Sequence, residues 1–212
     1  MNKPNLFYEN KFWKKGYVIC GIDEVGRGAF AGPLIAAGVI LKPSLSKKEM
    51  SKLLNIGIND SKLIKSANRK EIIKSAQEYI LTFIIESIFV EQINELGIGI
   101  ANKMAFLNVT KKLKNQTKNN DVFFLTDYFP IPEIEESAQE NIIKGDQISI
   151  SIALASIIAK VHRDAYMENL SIEFPNYGFE KHKGYGTKLH RENIKTHGTS
   201  PHHRSKFVAR YV

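Results

Sequence analysis

Hydrophobic residues in this chain form short apolar runs, and polar segments of helical periodicity separate them. Runs rich in Ile, Val and Phe predict strands at residues 17–23, 34–41, 81–90 and 122–127, with a short extended piece at 141–144. The spacing of apolar residues in the polar segments predicts helices at 46–54, 66–79, 100–113 and 187–198. Strands dominate early and helices late, so the pattern predicts an α/β domain with a mixed sheet.

The longest predicted helix covers residues 149–170, after a polar loop at 114–120 and a proline-containing loop at 130–132. Residues 150–159 are small or apolar on nearly every side, as expected for a helix packed against a sheet. The second half turns polar from Lys160 onwards. We expect Asp164 in this half to belong to a surface ion pair and exclude it from the candidate metal ligands.

Two adjacent carboxylates, Asp23 and Glu24, lie between the first apolar strand and a turn that contains Gly26, Arg27 and Gly28. A partly buried acidic pair is penalised by desolvation and repulsion unless a cation neutralises it. Successive strand residues point to opposite faces, so we predict that the strand ends at Asp23 and that Glu24 swings into the turn. The alternative is a hairpin tip with solvated acids.

Two further carboxylates are predicted at element ends. Asp127 ends an apolar strand, and Asp146 precedes the long helix. Either could instead cap its neighbouring turn or helix. Together with the first pair they would form an oxygen-ligand site suited to Mg²⁺ or Mn²⁺. Two such ions about 4 Å apart support attack of water on a phosphodiester, so a nuclease is a candidate function.

The net charge favours an anionic partner. The 212 residues contain 30 Lys and Arg against 22 Asp and Glu, which gives +8. A membrane is the weaker alternative, since the most apolar run, 148–161, is shorter than a spanning helix. The N-terminus lacks an apolar signal segment and Cys20 is the single cysteine, so we expect a cytoplasmic protein with Cys20 in the core.

The last quarter of the chain is basic and contains all six histidines. Residues 171–212 contain 8 Lys and Arg against 3 acids, or +5, and we expect them to bind a nucleic-acid backbone. We interpret the histidines as part of that basic surface, with a metal site as the alternative. Phe12 and Trp13 are expected to cover an edge of the core.

Several sequence blocks resemble ribonuclease HII, in that family's order and across residues 17–207. These blocks are Cys20–Gly28 followed by Ala31-Gly32-Pro33, Asn59–Lys62, Lys144–Asp146, Ala155–Val161 with Arg163-Asp164, and Tyr177–Phe179 leading to His182–Thr187. The resemblance implies a ribonuclease-H-like mixed sheet flanked by helices, with a catalytic domain at 1–170 and a helical basic extension at 171–212.

The resemblance also implies an endonuclease that cuts the RNA strand of RNA–DNA hybrids and single ribonucleotides in duplex DNA, with roles in ribonucleotide excision repair and primer removal. It assigns Mg²⁺ or Mn²⁺ binding to Asp23, Glu24, Asp127 and Asp146. It assigns contacts with the ribonucleotide to Gly26, Arg27, Gly28 and Tyr185, and phosphate contacts to Lys62 and Lys160. A monomer is expected, and a replication clamp is an open partner.

Two departures from the family pattern stand out. The family usually continues Asp-Gly-Asn where this chain has Asp127, Tyr128 and Phe129, so the shape of that loop is open. Gln147 and Ile148 follow Asp146 where Ala-Lys is common, which removes a basic residue. Arg27 and the lack of a long N-terminal domain separate the chain from the related ribonuclease HIII group.

A non-catalytic nucleic-acid-binding module is the rival interpretation. It would keep the basic surface without chemistry. Four carboxylates argue against it, because acids near phosphate weaken binding unless metal ions neutralise them.

Overall fold

A computed structural model of the chain describes residues 3–43, 45–117 and 121–212. Its strands are β1 (Val18–Val25), β2 (Leu34–Leu41), β3 (Ile80–Ile88), β4 (Val122–Asp127) and β5 (Gln139–Ile142). Its helices are α1 (Phe7–Trp13), α2 (Lys47–Asn55), α3 (Ser66–Ala76), α4 (Val90–Leu96), α5 (Ile98–Thr117), α6 (Ile150–Glu173), α7 (Phe179–His182), α8 (Lys188–His197) and α9 (Ser205–Val208).

The five strands form one mixed sheet in the order β3-β2-β1-β4-β5. β1, β2 and β3 pair antiparallel, whereas β1 pairs parallel with β4, and β4 with β5. In the central parallel pair Ile22 lies opposite Thr126. The carboxyl ends of β1 and β4 therefore lie at the same edge of the sheet. The α/β architecture with a mixed sheet predicted from the pattern is confirmed.

Helices cover both faces of the sheet. Odd-numbered residues of β2, such as Ile35 and Val39, pack with the apolar half of α6. Even-numbered residues of β1 and β2, including Cys20 and Ile22, pack with α5. The alternation assigns each strand side chain to one helix layer, and Cys20 lies in the core as expected.

The approach of α6 to the sheet depends on Gly21. A Cβ on this residue would lie 2.3 Å from the backbone carbon of Ser151. The start of α6 is also tied to α1, because the buried Glu9 Oε1 accepts hydrogen bonds from Ser149 Oγ at 2.6 Å and from the Ser151 amide at 2.9 Å. Phe12 of α1 is buried and stacks on Phe123, which agrees with its expected place at the core edge.

Residues 171–212 pack on the second half of α6 and on the loop after β1. Tyr177 and Phe179 share a cluster with Met167 and Leu170 of α6. Ala29 forms an isolated antiparallel bridge with Tyr185, and Ala31 forms one with His203. The predicted domain boundary after residue 170 falls within α6, which ends at Glu173; the division itself stays a prediction.

The structure corrects the interpretation of the histidines. His182, His190 and His203 are buried, and their imidazoles contact one another. His190 Nδ1 must donate to the Tyr185 carbonyl, so its Nε2 accepts from His203 Nε2 at 3.0 Å, and His203 Nδ1 accepts from the Ser200 amide. Burial lowers the pKa of His190 and of His203 to about 4. These three rings form a neutral core rather than a basic surface.

Asp164 is also buried, contrary to the predicted surface ion pair. It accepts hydrogen bonds from Lys160 Nζ at 2.6 Å and Arg69 Nη1 at 3.2 Å. The second half of α6 looked exposed because it is polar, but residues 171–212 and α3 cover it. The charges of Lys160 and Asp164 are paired inside the protein.

Some element boundaries differ from those predicted. β1 continues through Glu24 to Val25, because both carboxylate residues keep their pairing with β2. The predicted loop at 114–120 is helical as far as Thr117, and residues 118–120 lie outside the described residues. Lys65 precedes α3 where Ser66 was expected as the N-cap, whereas Thr187 caps α8 as expected. The short helices α1 and α4 were not predicted.

In the described ranges, no helix has the length and apolar character needed to cross a membrane.

We expect Gly21→Ala to lower the free energy of unfolding by about 1–3 kcal/mol, because the added Cβ overlaps the backbone of α6. Gly99→Ala is the control. Gly99 lies in α5 with nothing within 4 Å of an added Cβ, so this change should be neutral or slightly stabilising. Urea unfolding of both variants measures the difference, and equal midpoints would contradict the close approach of α6.

Candidate active site

Three carboxylates converge where β1, β4 and the segment before α6 meet. Asp23 lies near the end of β1, Asp127 ends β4, and Asp146 lies in a short 3₁₀ turn at Gly145–Gln147. One carboxylate oxygen of each residue lies within 4.8 Å of the others. We call this group the carboxylate cluster.

The backbone explains how these residues meet. The parallel register places the carboxyl ends of β1 and β4 side by side. Asp127 Oδ1 then accepts a hydrogen bond from the Gly145 amide at 2.8 Å, which holds the turn containing Asp146 against β4. Lys144 enters this turn at φ 58°, in the left-handed region. The cluster therefore depends on elements that are far apart in the sequence.

Glu24 lies beside the cluster but outside its closest group. As the residue after Asp23 in a continuous strand, it falls on the face shared with Cys20 and Ile22. Its Oε1 lies 3.9 Å from Arg27 Nε, and its buried Oε2 has no hydrogen-bond partner among the described residues. The structure thus groups three of the four predicted ligands closely and leaves Glu24 with an unsatisfied oxygen next to them.

A cleft of about 340 Å³ joins most of the predicted site residues. It is lined by Asp23, Glu24, Val25, Ser61, Lys62, Asp127, Ser156, Lys160 and Tyr185. Asp146 reaches the same place through the carboxylate cluster.

The carboxylates of the site repel one another. Burial raises the pKa of Asp23, and the neighbouring charges of Glu24 and Asp127 raise it further. Burial also raises the pKa of Glu24 to about 7, against the opposing effect of Arg27. The pKa of Asp146 rises to about 6 through burial and the charge of Asp127. Uncompensated oxygen ligands and the orphan oxygen of Glu24 fit a divalent cation, which would neutralise them.

Two lysines border the cleft with different partners. Burial opposes the charged form of Lys62, but Asp60 and the carboxylate cluster outweigh this effect and raise its pKa. Lys160 Nζ already pairs with Asp164 and lies 5.9 Å from the centre of the Tyr185 ring. The charges of the carboxylate cluster therefore act directly on Lys62, whereas Lys160 is held by its ion pair with the buried Asp164.

The turn after β1 holds Arg27 above an aromatic ring. Gly26 has φ 94°, and a Cβ there would lie 2.3 Å from Arg163 Nε, so only glycine fits. Gly28 has no neighbour within 4 Å of an added Cβ. The Arg27 guanidinium carbon lies 4.0 Å from the centre of the Phe129 ring.

Sequence reasoning missed several residues of the site. Ser156 hydrogen-bonds Asp23 and contacts Ser61 Oγ at 3.0 Å. Asp60 accepts from Gln147 at 3.3 Å and raises the pKa of Asp146. Their location in the blocks Asn59–Lys62 and Ala155–Val161 was the available signal. Phe129 carried none, since it lies where the chain departs from the family pattern.

A mixed sheet of this order, with a carboxylate cluster at the carboxyl ends of adjacent parallel strands, defines a metal-dependent nuclease of the ribonuclease H class. Comparison with known proteins makes the assignment more specific. The family model described as Ribonuclease HII matches residues 20–211. A ribonuclease HII from Clostridioides difficile is 43% identical over 205 residues, which cover 96% of this chain and 75% of the relative.

Solved structures share the fold. The ribonuclease HII in the PCNA:RNase HII complex from Archaeoglobus fulgidus superposes with a TM-score of 0.70 at 22% identity, covering 90% of this chain and 94% of that one. Bst-RNase HIII in complex with Mn²⁺ gives a TM-score of 0.66 at 21% identity, covering 86% of this chain and 63% of that one.

The chain belongs to the ribonuclease HII family. It is a metal-dependent ribonuclease that acts on RNA–DNA hybrids. The rival interpretation, a binding module without chemistry, is therefore wrong.

We expect Asp23→Asn to stabilise the metal-free protein at pH 8, because it removes a buried charge that repels Glu24 and Asp127. In the wild type the raised carboxyl pKa values mean that the folded state binds protons more tightly than the unfolded state, so these groups add stability as the pH falls from about 7 towards 4. The gain from the substitution should therefore shrink at pH 5.

Thermal unfolding in excess chelator measures this effect, with about 2–4 °C expected per kcal/mol in a chain of this size. The buried histidines oppose the trend, since their lowered pKa values cost stability below pH 6.5, but they act equally in both proteins. A substitution with the same effect at pH 8 and pH 5 would contradict the electrostatic interpretation.

Proposed function

We propose that this protein is an endonuclease that cuts the RNA strand of RNA–DNA hybrids and cuts 5′ of single ribonucleotides in duplex DNA, leaving 3′-hydroxyl and 5′-phosphate ends. The observation that carries the proposal is the carboxylate cluster, which shares its cleft with Tyr185 and lies beside the turn containing Arg27. Such an activity suits ribonucleotide excision repair and removal of RNA primers.

In this proposal Asp23, Asp127 and Asp146, together with Glu24, hold Mg²⁺ or Mn²⁺. Two bound ions would supply an activated water and neutralise charge on the leaving 3′ oxygen. The Mn²⁺ complex of the fold neighbour Bst-RNase HIII supports the ion class. The protein contributes the arrangement: β1 and β4 fix two ligands, and the Asp127–Gly145 hydrogen bond places the third.

Recognition of ribose is assigned to Gly26, Arg27, Gly28 and Tyr185. The 2′-hydroxyl is the group that distinguishes RNA from DNA at a single sugar. The backbone bridge between Ala29 and Tyr185 holds the segment of the tyrosine beside the turn, so both can contact the same sugar. Lys62 and Lys160, at the border of the cleft, are assigned to the phosphates.

The excess positive charge of residues 171–212 supports their assignment to the duplex backbone, with affinity that falls as salt rises. We propose that the protein acts as a monomer. A sliding clamp is proposed as a protein partner because the Archaeoglobus fulgidus relative was solved with PCNA. Separate elution of this chain and a clamp in size-exclusion chromatography would argue against that partner.

Asp127→Asn is expected to reduce cleavage of a duplex carrying one ribonucleotide by more than about 100-fold in Mg²⁺, because it removes a ligand of the carboxylate cluster. Glu140→Gln is the matched control: this acid lies on the neighbouring β5 and forms a surface ion pair with Lys11. Initial rates from labelled duplexes provide the measurement. Undiminished cleavage by the Asp127 variant would overturn the metal assignment.

Replacing the single ribonucleotide with a deoxyribonucleotide should abolish cutting of the same duplex. The products of the ribonucleotide substrate should carry a 3′-hydroxyl and a 5′-phosphate, which mass spectrometry distinguishes. A 2′,3′-cyclic phosphate would mean that the 2′-hydroxyl, rather than water, attacks. Equal rates on both duplexes would refute ribose recognition.

A further inference from the structure

Two arginines are completely buried behind the turn at residues 26–33. Arg163 comes from α6, and Arg204 lies just before α9. They are the two bulkiest side chains among those that are fully buried in the described chain. Among the described residues the arginines that form ion pairs are Arg27 and Arg69, and neither Arg163 nor Arg204 forms one. Burying a cation without a carboxylate partner costs free energy, so other groups must accept the hydrogen bonds of these two guanidinium groups.

Those acceptors are backbone carbonyls, and all of them belong to the turn except Lys183 O, which accepts from Arg163 Nη1 at 2.8 Å. Arg204 Nη1 donates to Gly26 O at 2.7 Å and to Arg27 O at 3.0 Å, while its Nε and Nη2 donate to Gly32 O at 3.0 and 2.8 Å. Arg163 donates to Pro33 O at 3.0 Å and Ala31 O at 3.0 Å. Arg204 thus links Gly26 and Arg27 to Gly32 across the turn. Arg163 holds only the second half of the turn, at Ala31 and Pro33.

Because peptide groups are planar, the hydrogen bonds from Arg204 to two carbonyls also determine where the neighbouring N–H groups point. In a trans peptide the carbonyl and the following N–H point in opposite directions, and no cis bonds occur among the described residues. Since the carbonyls of Gly26 and Arg27 point at Arg204, the N–H groups of Arg27 and Gly28 point away from it. One guanidinium therefore orients two consecutive amide donors and polarises both peptide groups.

We propose that Arg204 is a positioning residue for ribose selection, which holds the amides of Arg27 and Gly28 in the orientation that accepts a ribonucleotide. The proposal rests on the proposed function of the turn. It makes residues 171–212 part of the recognition apparatus, in addition to any contact with the duplex backbone. Arg204 itself stays buried and touches no substrate.

The test compares Arg204→Lys with the wild type. Lysine keeps the charge but cannot donate to Gly26, Arg27 and Gly32 from one planar group. We expect KM for the single-ribonucleotide duplex to rise about 10-fold, the effect of losing one hydrogen bond from a charged donor, with a smaller change in kcat. The inhibition constant of the matched all-DNA duplex should stay unchanged.

Leu53→Ala serves as a control for lost stability, because Leu53 is fully buried in α2 and belongs to the apolar cluster between β2 and α6. The Leu53 variant should have a lower melting temperature. The ratio of its KM for the single-ribonucleotide duplex to the inhibition constant of the all-DNA duplex should equal that of the wild type. Arg204→Ala adds a second readout: guanidinium ion at low millimolar concentration should restore part of the selectivity. Wild-type selectivity in both Arg204 variants would overturn the proposal.

If both variants fail to fold, the wild-type protein provides the measurement. The ¹⁵N–¹H signals of the Arg204 guanidinium should shift when the single-ribonucleotide duplex is added with Ca²⁺ and stay in place with the all-DNA duplex. Identical responses to both duplexes would also overturn the proposal. Failure of the proposed function is a separate result, because it would appear as equal cleavage of both duplexes by the wild type.

Discussion

The parallel pairing of β1 with β4 is the constraint on which the rest of the molecule depends. It places the ends of two central strands side by side, and an aspartate follows Ile22 in one strand and Thr126 in the other. Like charges this close destabilise the metal-free fold. The sheet hydrogen bonds and the two apolar layers around α5 and α6 supply the stability that holds these charges together.

Helix α6 contributes side chains both to the cleft and to the turn after β1. Along α6, Ser156 contacts Asp23, Lys160 borders the cleft and Asp164 pairs with Lys160, at intervals of four residues that lie on one face. Arg163 faces the turn after β1 instead. The apolar first half of α6 fixes the helix against the sheet, so its polar second half can hold these side chains with little freedom.

Much of this arrangement was readable from the sequence. The apolar runs located the central strands and α6, and acids at the ends of elements indicated the carboxylate cluster before any resemblance was invoked. The predicted end of β1 at Asp23 was wrong because we assumed that a continuous strand could not bring both Asp23 and Glu24 to one site. In the structure the pairing with Ala37 and Ala36 continues, and Glu24 reaches the cleft region from the other face.

Burial was the property that the sequence concealed. Histidines and arginines in a basic segment suggest an exposed surface, but residues 171–212 pack against α6, and His190 and Arg204 lie in the interior. Asp164 is buried where Arg69 of α3 pairs with it. The partners of Arg204 are carbonyl oxygens, which every residue possesses, so no pattern of side chains could indicate them.

The separation of Arg204 from the turn also has a consequence for folding. Its hydrogen bond to Gly26 joins residues 178 positions apart, whereas Asp127 and Gly145 are 18 apart. Closing so long a loop is slow relative to local contacts. Arg204 leaves the ribosome only after all five strands of the sheet, the last of which ends at Ile142. We therefore expect the nascent protein to bring its carboxylates together first and to form the hydrogen bonds that hold the turn only after Arg204 has been synthesised.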